Sequence, residues 1–136
     1  MLMDMKTRNR IKKEAFFLEE LGYKKSEDEC SINYFSDNIL ISIILPPHSE
    51  ESDVLIRFSD KNQVFSLGWI ALVRNNLEGT KEKEENVIEL IKYLKKNYDR
   101  VTSYQFCLRS NNLIDEYVKR NHTQFEKSVE DFLKNI

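Results

Sequence analysis

Apolar side chains follow one another almost without a break in residues 63–74, which read QVFSLGWIALVR. In an extended strand, neighbouring side chains point to opposite faces. Phe65, Leu67 and Trp69 would then share one face, with Val64 and Ile70 on the other. Since both faces are largely apolar, neither can lie in bulk water, and this is typical of a strand in the middle of a sheet. The pattern predicts a central, buried strand here.

Two neighbouring residues of this segment suggest a ligand site. Gly68 precedes the bulky Trp69, and a glycine inside a strand indicates a bulge or the close approach of another group to the backbone. Two interpretations follow. Trp69 is a core or subunit-contact aromatic, or Gly68 and Trp69 line a ligand pocket together with Tyr104 from a later apolar segment.

Alternating or continuous apolar runs predict further strands at residues 30–35, 38–45 and 53–59. Turn residues separate them, and Pro46 and Pro47 end the second of these runs. Connections this short favour antiparallel pairing, so residues 30–74 are expected to form a four-stranded meander. The polar residues 24–29 are interpreted as a connection, and alternation over residues 101–108 predicts a fifth strand.

Apolar residues at helical spacing predict three helical regions. The first covers residues 5–21, with Gly22 as the residue that tolerates a left-handed cap. The second begins at a Thr80 cap and carries the apolar stripe Val87, Ile91, Leu94 and Tyr98. The third runs from residue 110 onward with the stripe Leu113, Tyr117, Val118, Phe125, Val129, Phe132 and Ile136. Thr123 and Glu126 have the spacing of a capping box, which predicts an interruption at residues 121–123.

The resulting order is helix, four strands, helix, strand and one or two helices. It predicts a single α+β domain over residues 1–136, with a central, largely antiparallel five-stranded sheet and flanking helices. Because two predicted strands are apolar on both faces, either helices cover both sides of the sheet or a second subunit closes one of them. A homodimer is therefore one expectation.

Composition points to a cytoplasmic protein. The net charge of −2 provides no bulk attraction for nucleic acid or an anionic membrane. No apolar run approaches the roughly 18 residues of a spanning helix, and the opening MLMDMKTRNR has no secretory-signal pattern. Cys30 and Cys107 are two isolated thiols, which fits a reducing compartment. Frequent Lys, Asn, Ile and Glu suggest an AT-rich bacterial genome.

Motifs for catalysis or cofactor binding are missing from the sequence. There is no G-x-S-x-G elbow and no glycine-rich phosphate loop. The two histidines, His48 and His122, lie far apart, although His48 with Glu50, Glu51 and Asp53 could surround a divalent cation. We expect no catalytic residue, no metal and no cofactor, and lean towards a protein that is not an enzyme.

Charge is segregated along the chain. Residues 6–25 carry seven bases against three acids, whereas residues 27–60 carry eight acids against Arg57 alone. Segregation of this kind suits a protein partner found by electrostatic steering, or complementarity between two copies of the chain. The predicted partner-binding residues are Glu50, Glu51, Asp53, Arg8 and Lys12.

Residues 101–125, VTSYQFCLRSNNLIDEYVKRNHTQF, resemble the last strand and helix of GNAT-type acetyltransferases. Asn112 and Tyr117 match the Asn that follows the strand and the Tyr on the helix, and residues 65–73 match the preceding strand. The resemblance implies an acetyltransferase or small-ligand binder. The chain departs from the family at its pyrophosphate-binding turn, R-x-x-G-x-G/A, where it has NNLEGTKEKEEN with one glycine and several acids.

The chain also resembles small cytosolic bacterial immunity proteins of polymorphic toxin systems. The segment FSLGWIALV and the acidic residues 50–53 carry this resemblance, together with the size and mild acidity of the chain. It implies a non-enzymatic module that occludes a basic toxin domain. A secretion-type chaperone is the third hypothesis, because such proteins are also acidic and dimeric.

Overall fold

The computed structural model describes residues 5–45, 52–79 and 86–134. The strands are β1 (Lys24–Glu27), β2 (Ser31–Phe35), β3 (Ile39–Ile44), β4 (Asp53–Phe58) and β5 (Val64–Ser66). The helices are α1 (Met5–Glu14), α2 (Phe16–Glu20), α3 (Leu67–Glu78), α4 (Val87–Lys96), α5 (Tyr98–Val101) and α6 (Tyr104–Lys134).

The strands form one antiparallel sheet in the order β1-β2-β3-β4-β5, so the chain meanders without a crossover. The predicted α+β class with a five-stranded antiparallel sheet is confirmed. The middle strand is β3, whose Ile39, Ile41 and Ile43 are buried. The segment predicted as a connection forms β1, an edge strand whose four residues are all exposed. Charge on an edge strand discourages pairing with another chain.

The prediction of a long central strand at residues 63–74 is wrong. Only Val64–Ser66 is extended, as the short edge strand β5, and α3 begins at Leu67. Leu67, Ile70 and Ala71 are buried because they recur at helical spacing. A short apolar run fits a buried helix as well as a buried strand, and periodicity alone does not separate the two.

The strand predicted at residues 101–108 is also wrong. Val101 ends α5 and Tyr104 begins α6. Ser103 marks the start of α6, since its hydroxyl accepts a hydrogen bond from the amide of Phe106 at 3.4 Å. The predicted interruption at residues 121–123 is likewise wrong, because α6 runs unbroken through them.

The remaining helix predictions are largely confirmed. Ile11, Ala15 and Leu18 of the first helical region are buried, although Leu21 is exposed. Gly22 has a positive φ of 99°, as expected of a left-handed cap. Val87, Ile91 and Leu94 of the predicted stripe are buried in α4, whereas Tyr98 is half-buried at the start of α5. Asn86 caps α4, accepting from the amide of Glu89. The predicted Thr80 cap lies outside the described residues.

One face of the sheet holds the core. Tyr34, Ile41, Ile56 and Phe65 lie side by side on that face, where they pack in one buried cluster with residues of the helices. On the opposite face the apolar side chains are half-buried or exposed, among them Phe35, Leu40 and Val64. Among the described residues, the sheet is therefore covered on one face only.

Candidate functional site

Asp53, a predicted partner-binding residue, anchors the start of α3. Its Oδ1 accepts from the amide of Gly68 at 2.9 Å, and the hydroxyl of Ser66 donates to its Oδ2. Ser66 is the N-cap of α3 and accepts from the amide of Trp69. A carboxylate here satisfies amides that have no partner within the helix and complements the helix dipole. Asp53 therefore has a structural role at the N-terminus of α3.

Gly68 lies in the first turn of α3, close to Asp53. A Cβ at Gly68 would be 3.0 Å from Asp53 Oδ1, so the missing side chain is what lets the carboxylate approach the helix. The sequence-based interpretation of Gly68 as a close-approach site agrees with this geometry, although the approaching group is a side chain of the same chain and the backbone is helical.

Trp69 and Tyr104, the other two predicted pocket residues, lie on different helices and contact different groups. Trp69 is 43% exposed on α3, and its ring centroid is 6.3 Å from that of Tyr117 on α6 in an edge-to-face contact. Tyr104 packs edge-to-face on Phe58 and Phe65, at centroid distances of 5.5 and 5.9 Å. The structure places Tyr104 against the core and leaves Trp69 at the surface beside α6.

The basic residues predicted to bind a partner contact the first hairpin instead. Arg8 is 7% exposed, and its guanidinium donates to the backbone carbonyls of Asp28 at 2.7 Å and Glu29 at 3.1 Å. Lys12 Nζ lies 3.2 Å from a carboxylate oxygen of Glu27. These bonds tie α1 to the turn between β1 and β2, so Arg8 has a structural role. Glu50 and Glu51 lie outside the described residues.

The structure adds a feature that the sequence did not single out. From Val118 to Lys134, which we call the outer half of α6, every residue whose side chain is described is exposed. The exposed residues include four large apolar side chains: Val118, Val129, Phe132 and Leu133. The outer half spans roughly 25 Å at 1.5 Å per residue. The body of the protein thus carries a long helical extension with an apolar face in solvent.

The inner half of α6, from Tyr104 to Tyr117, packs against α3. Arg74 on α3 donates through Nε to the Ser110 hydroxyl at 2.9 Å, and Trp69 contacts Tyr117. Since residue numbers on α3 rise as those of their contacts on α6 fall, the two helices are antiparallel. The N-terminus of α3 therefore lies where the outer half of α6 begins, and no described element covers α6 beyond that point.

The signal for this surface was present in the sequence. Val118, Val129 and Phe132 belong to the apolar stripe that predicts a helix in the C-terminal region. Apolar periodicity indicates which face of a helix is buried against another surface, but it does not say whether that surface belongs to the same chain. Only the three-dimensional structure shows that the sheet and the other helices stop short of these residues.

Other kinds of site find little support in the part of the chain that the structure describes. No group of three or more His, Cys, Asp and Glu side chains there could hold a metal ion. None of the helices in those residues is both long and apolar enough to cross a membrane. Residues 65–73 and 101–108, which carry the acetyltransferase resemblance as strands, are mainly helical, and Asn112 and Tyr117 both lie inside α6.

No protein-family model, curated protein or solved structure matches this chain. Among the described residues, the outer half of α6 is the element that contributes least to the packing of the fold.

Proposed function

We propose that this chain is a non-enzymatic protein-binding module and that the outer half of α6 is its binding element. The observation that carries the proposal is the exposure of apolar side chains along residues 118–134, with Phe132 67% exposed. Apolar residues scattered singly over a surface are ordinary, whereas an apolar stripe along one helix face marks an interaction site.

The energetics of helices support the proposal. Isolated helices of about 12 to 15 residues are marginal in water, and most helical stability in proteins comes from packing an amphipathic face. Every described side chain in the outer half of α6 is exposed, and the ion pair between His122 and Glu126 is exposed as well. A protein surface that covers Val129 and Phe132 would supply the missing packing.

Recognition by an exposed helix is a common mode of protein binding. An amphipathic helix places its apolar face in a groove or against another helix and is read through residues three and four apart. Val129, Phe132 and Leu133 have this spacing and could act as the anchors that dominate the free energy of binding. Trp69 and Tyr117 extend the apolar surface at the N-terminal end of the outer half.

An immunity protein that neutralises a basic toxin domain by occlusion is the specific form of this proposal. The acidic residues Glu50 and Glu51 are its candidates for steering the partner. Asp53 does not belong in a charge-reversal test, because reversing it would remove the cap of α3 as well as an acid. The informative variant is the pair Glu50→Lys and Glu51→Lys. A secretion-type chaperone would use the same exposed helix.

Site-specific photo-crosslinking tests the proposal. A benzoylphenylalanine at position 132 should give crosslinks to protein in cells, since we expect a partner to cover this side chain. The matched control is position 16, because Phe16 is also a strongly exposed phenylalanine but lies on α2. Protein crosslinks at 132 well above those at 16 are the expected result. Equal, background-level crosslinking at both positions would contradict the proposal.

A further inference from the structure

We infer that the exposed side of α1 and α2 binds the surface of an anionic lipid bilayer. This surface, which we call the basic face, consists of a row of three bases, Lys6, Arg10 and Lys13, and of the exposed apolar side chains of Met5 and Phe16. The binding would be a further activity of the chain. It does not depend on the outer half of α6, since none of these residues belongs to that helix.

The three bases lie along one side of α1. They are four and three residues apart, and each residue turns an α-helix by about 100°, so they form a single row roughly 10 Å long. All three are exposed, whereas Ile11 on the other side of the helix is fully buried. The row therefore faces away from the core.

The bases of the row have no electrostatic role within the described part of the fold. Among the described residues, none of the three forms an ion pair. The first turn of α1 contains no acid, and a base there opposes the helix dipole instead of stabilising the helix. Arg8 and Lys12 differ, because they bind the turn between β1 and β2. The row is thus available to an external anion.

The acids of the first hairpin turn lie behind α1. Arg8 donates to the carbonyls of Asp28 and Glu29, and its guanidinium is 3.8 Å from a carboxylate oxygen of Glu27. Since Arg8 is two residues away from its neighbours in the row, it projects from the opposite side of the helix. The turn that carries these three acids is therefore on the far side of α1 from the row.

The acids of α1 and α2 come only after the row has ended. They are Glu14, Glu19 and Glu20. Glu14 is half-buried, and Glu19 lies 4.0 Å from Nζ of Lys25. Glu20 is exposed, but it lies about one turn beyond Phe16. The row itself is not interrupted by an acid.

The neighbouring helix α4 adds positive charge. It packs against α1, and Nζ of Lys95 lies 5.9 Å from the ring centroid of Phe17 in α2. Lys96 is exposed beside it. Lys92 is exposed as well, with Glu89 at 4.0 Å. Bases therefore outnumber acids on the three helices around the basic face.

Exposed apolar side chains favour a bilayer over other anions. Met5 is 65% exposed and precedes the row, and Phe16 is 53% exposed and follows it. At a bilayer surface the bases meet anionic headgroups while apolar side chains enter the boundary with the acyl chains. Nucleic acid offers no such apolar region. Two of the three bases are lysines, which act as point charges and suit a fluid surface, whereas arginine forks suit a carboxylate of fixed geometry.

The small net charge of the chain is compatible with this contact. The value of −2 describes the whole molecule, whereas charges more than about 10 Å apart are largely screened at physiological salt. A bilayer would therefore respond to the basic face and not to distant acids. Because only a few bases and two apolar side chains take part, we expect binding to be reversible and to weaken as salt is raised.

Co-sedimentation of the full chain with vesicles tests the inference. The wild type should pellet with vesicles of equal parts phosphatidylserine and phosphatidylcholine, and much less with phosphatidylcholine alone. Replacing all three bases of the row by Gln should weaken binding by roughly tenfold or more, since each base near an anionic surface strengthens binding about fivefold. This variant should stay folded by circular dichroism, because the row has no ion pair to lose.

The matched control removes the same charge from exposed positions of α6. It is the triple variant Arg109→Gln, Arg120→Gln and Lys127→Gln. Its binding to the anionic vesicles should be nearly that of the wild type. Equal weakening by the two triple variants would overturn the inference, because only net charge would then matter. So would a wild type that does not pellet with the anionic vesicles.

A pair of phenylalanine variants tests the apolar part of the contact. Phe16→Ala should weaken binding to the anionic vesicles about fivefold, because its ring leaves water for the bilayer boundary. Phe132→Ala, which changes an exposed phenylalanine on α6, should leave binding unchanged. The reverse result would place the bilayer contact on α6 and overturn the inference. Binding to polyglutamate or duplex DNA without binding to vesicles would also overturn it, because the basic face would then recognise a different anion.

Discussion

Single residues with polar side chains hold the elements of this protein together. Asp53 joins β4 to the N-terminus of α3, and Arg8 joins α1 to the turn after β1 through two backbone carbonyls. Both residues looked like surface charges in the sequence, because acids and bases at nearby positions resembled a partner-binding patch. Their side chains instead satisfy backbone groups that folding would otherwise leave without hydrogen bonds.

Replacing Asp53 should destabilise the fold. Asp53→Ala removes the acceptor of the Gly68 amide and of the Ser66 hydroxyl, and we expect it to lower the free energy of unfolding by about 2 kcal/mol. Urea unfolding measures this change. Asp60→Ala is the control, since the Asp60 side chain is 82% exposed and should change stability by less than about 0.5 kcal/mol. Equal effects of the two changes would contradict the anchoring role of Asp53.

The two cysteines should differ sharply in reactivity. Cys107 is buried, its thiol contacts the carbonyl oxygen of Val101 at 3.2 Å, and burial raises its pKa from 9.0 to about 12. Cys30 is exposed. A thiol reagent at pH 8 should therefore modify one equivalent rapidly and the second only when the protein unfolds. Two rapidly reacting thiols in the folded protein would contradict this packing.

The same pKa shift makes stability depend on alkaline pH. The folded protein favours the protonated thiol of Cys107, so the pKa is higher in the folded state than in the unfolded state. The stabilisation is fully present below pH 9 and is lost as the pH rises towards 12.

At the scale of elements, periodicity predicted helices and strands well wherever one face meets water. The antiparallel strands β2 and β4 follow from alternation, β3 from a continuous apolar run and α4 from a 3.6-residue stripe. Short turns between the strands fix the meander. α3 could not be recognised in the same way. Its helical stripe includes Arg74 and Asn75, which are half-buried and buried, and these polar residues hid the helical period.

Two serines mark the N-termini of α3 and α6. Ser66 caps α3, and the Ser103 hydroxyl accepts from a first-turn amide of α6. Neither is followed by Glu or Gln three residues later, so the capping-box pattern that marks many helix starts is missing. Conversely, Thr123 and Glu126 match that pattern in the middle of α6, where no helix begins.

The continuity of α6 can be tested by breaking it. Asn121→Pro should reduce helical circular dichroism, because proline removes a hydrogen bond and clashes with the preceding turn. The free energy of unfolding should be nearly unchanged, since none of the described side chains of residues 118–134 belongs to the core. Unchanged circular dichroism would mean that a break already exists near residue 121.

At the scale of the whole molecule, the described protein is a sheet with helices on one face and a helix that extends beyond them. The fold class followed from the sequence because it depends on the kinds and number of elements. The candidate binding surface did not follow, since the exposure of α6 depends on where other elements end. The sequence predicted either helices on both faces of the sheet or a second subunit on one of them. The described helices cover one face, and Phe35 and Val64 on the other face are exposed.

The most direct test of the proposed binding role is amide hydrogen exchange across α6 in the isolated protein. We propose that contact with a partner protein keeps the outer half of α6 helical. In the isolated protein, protection of residues 118–134 should therefore be weak, while residues 104–117 stay protected. Strong protection of residues 118–134 in a dilute monomer, equal to that of residues 104–117, would contradict the account.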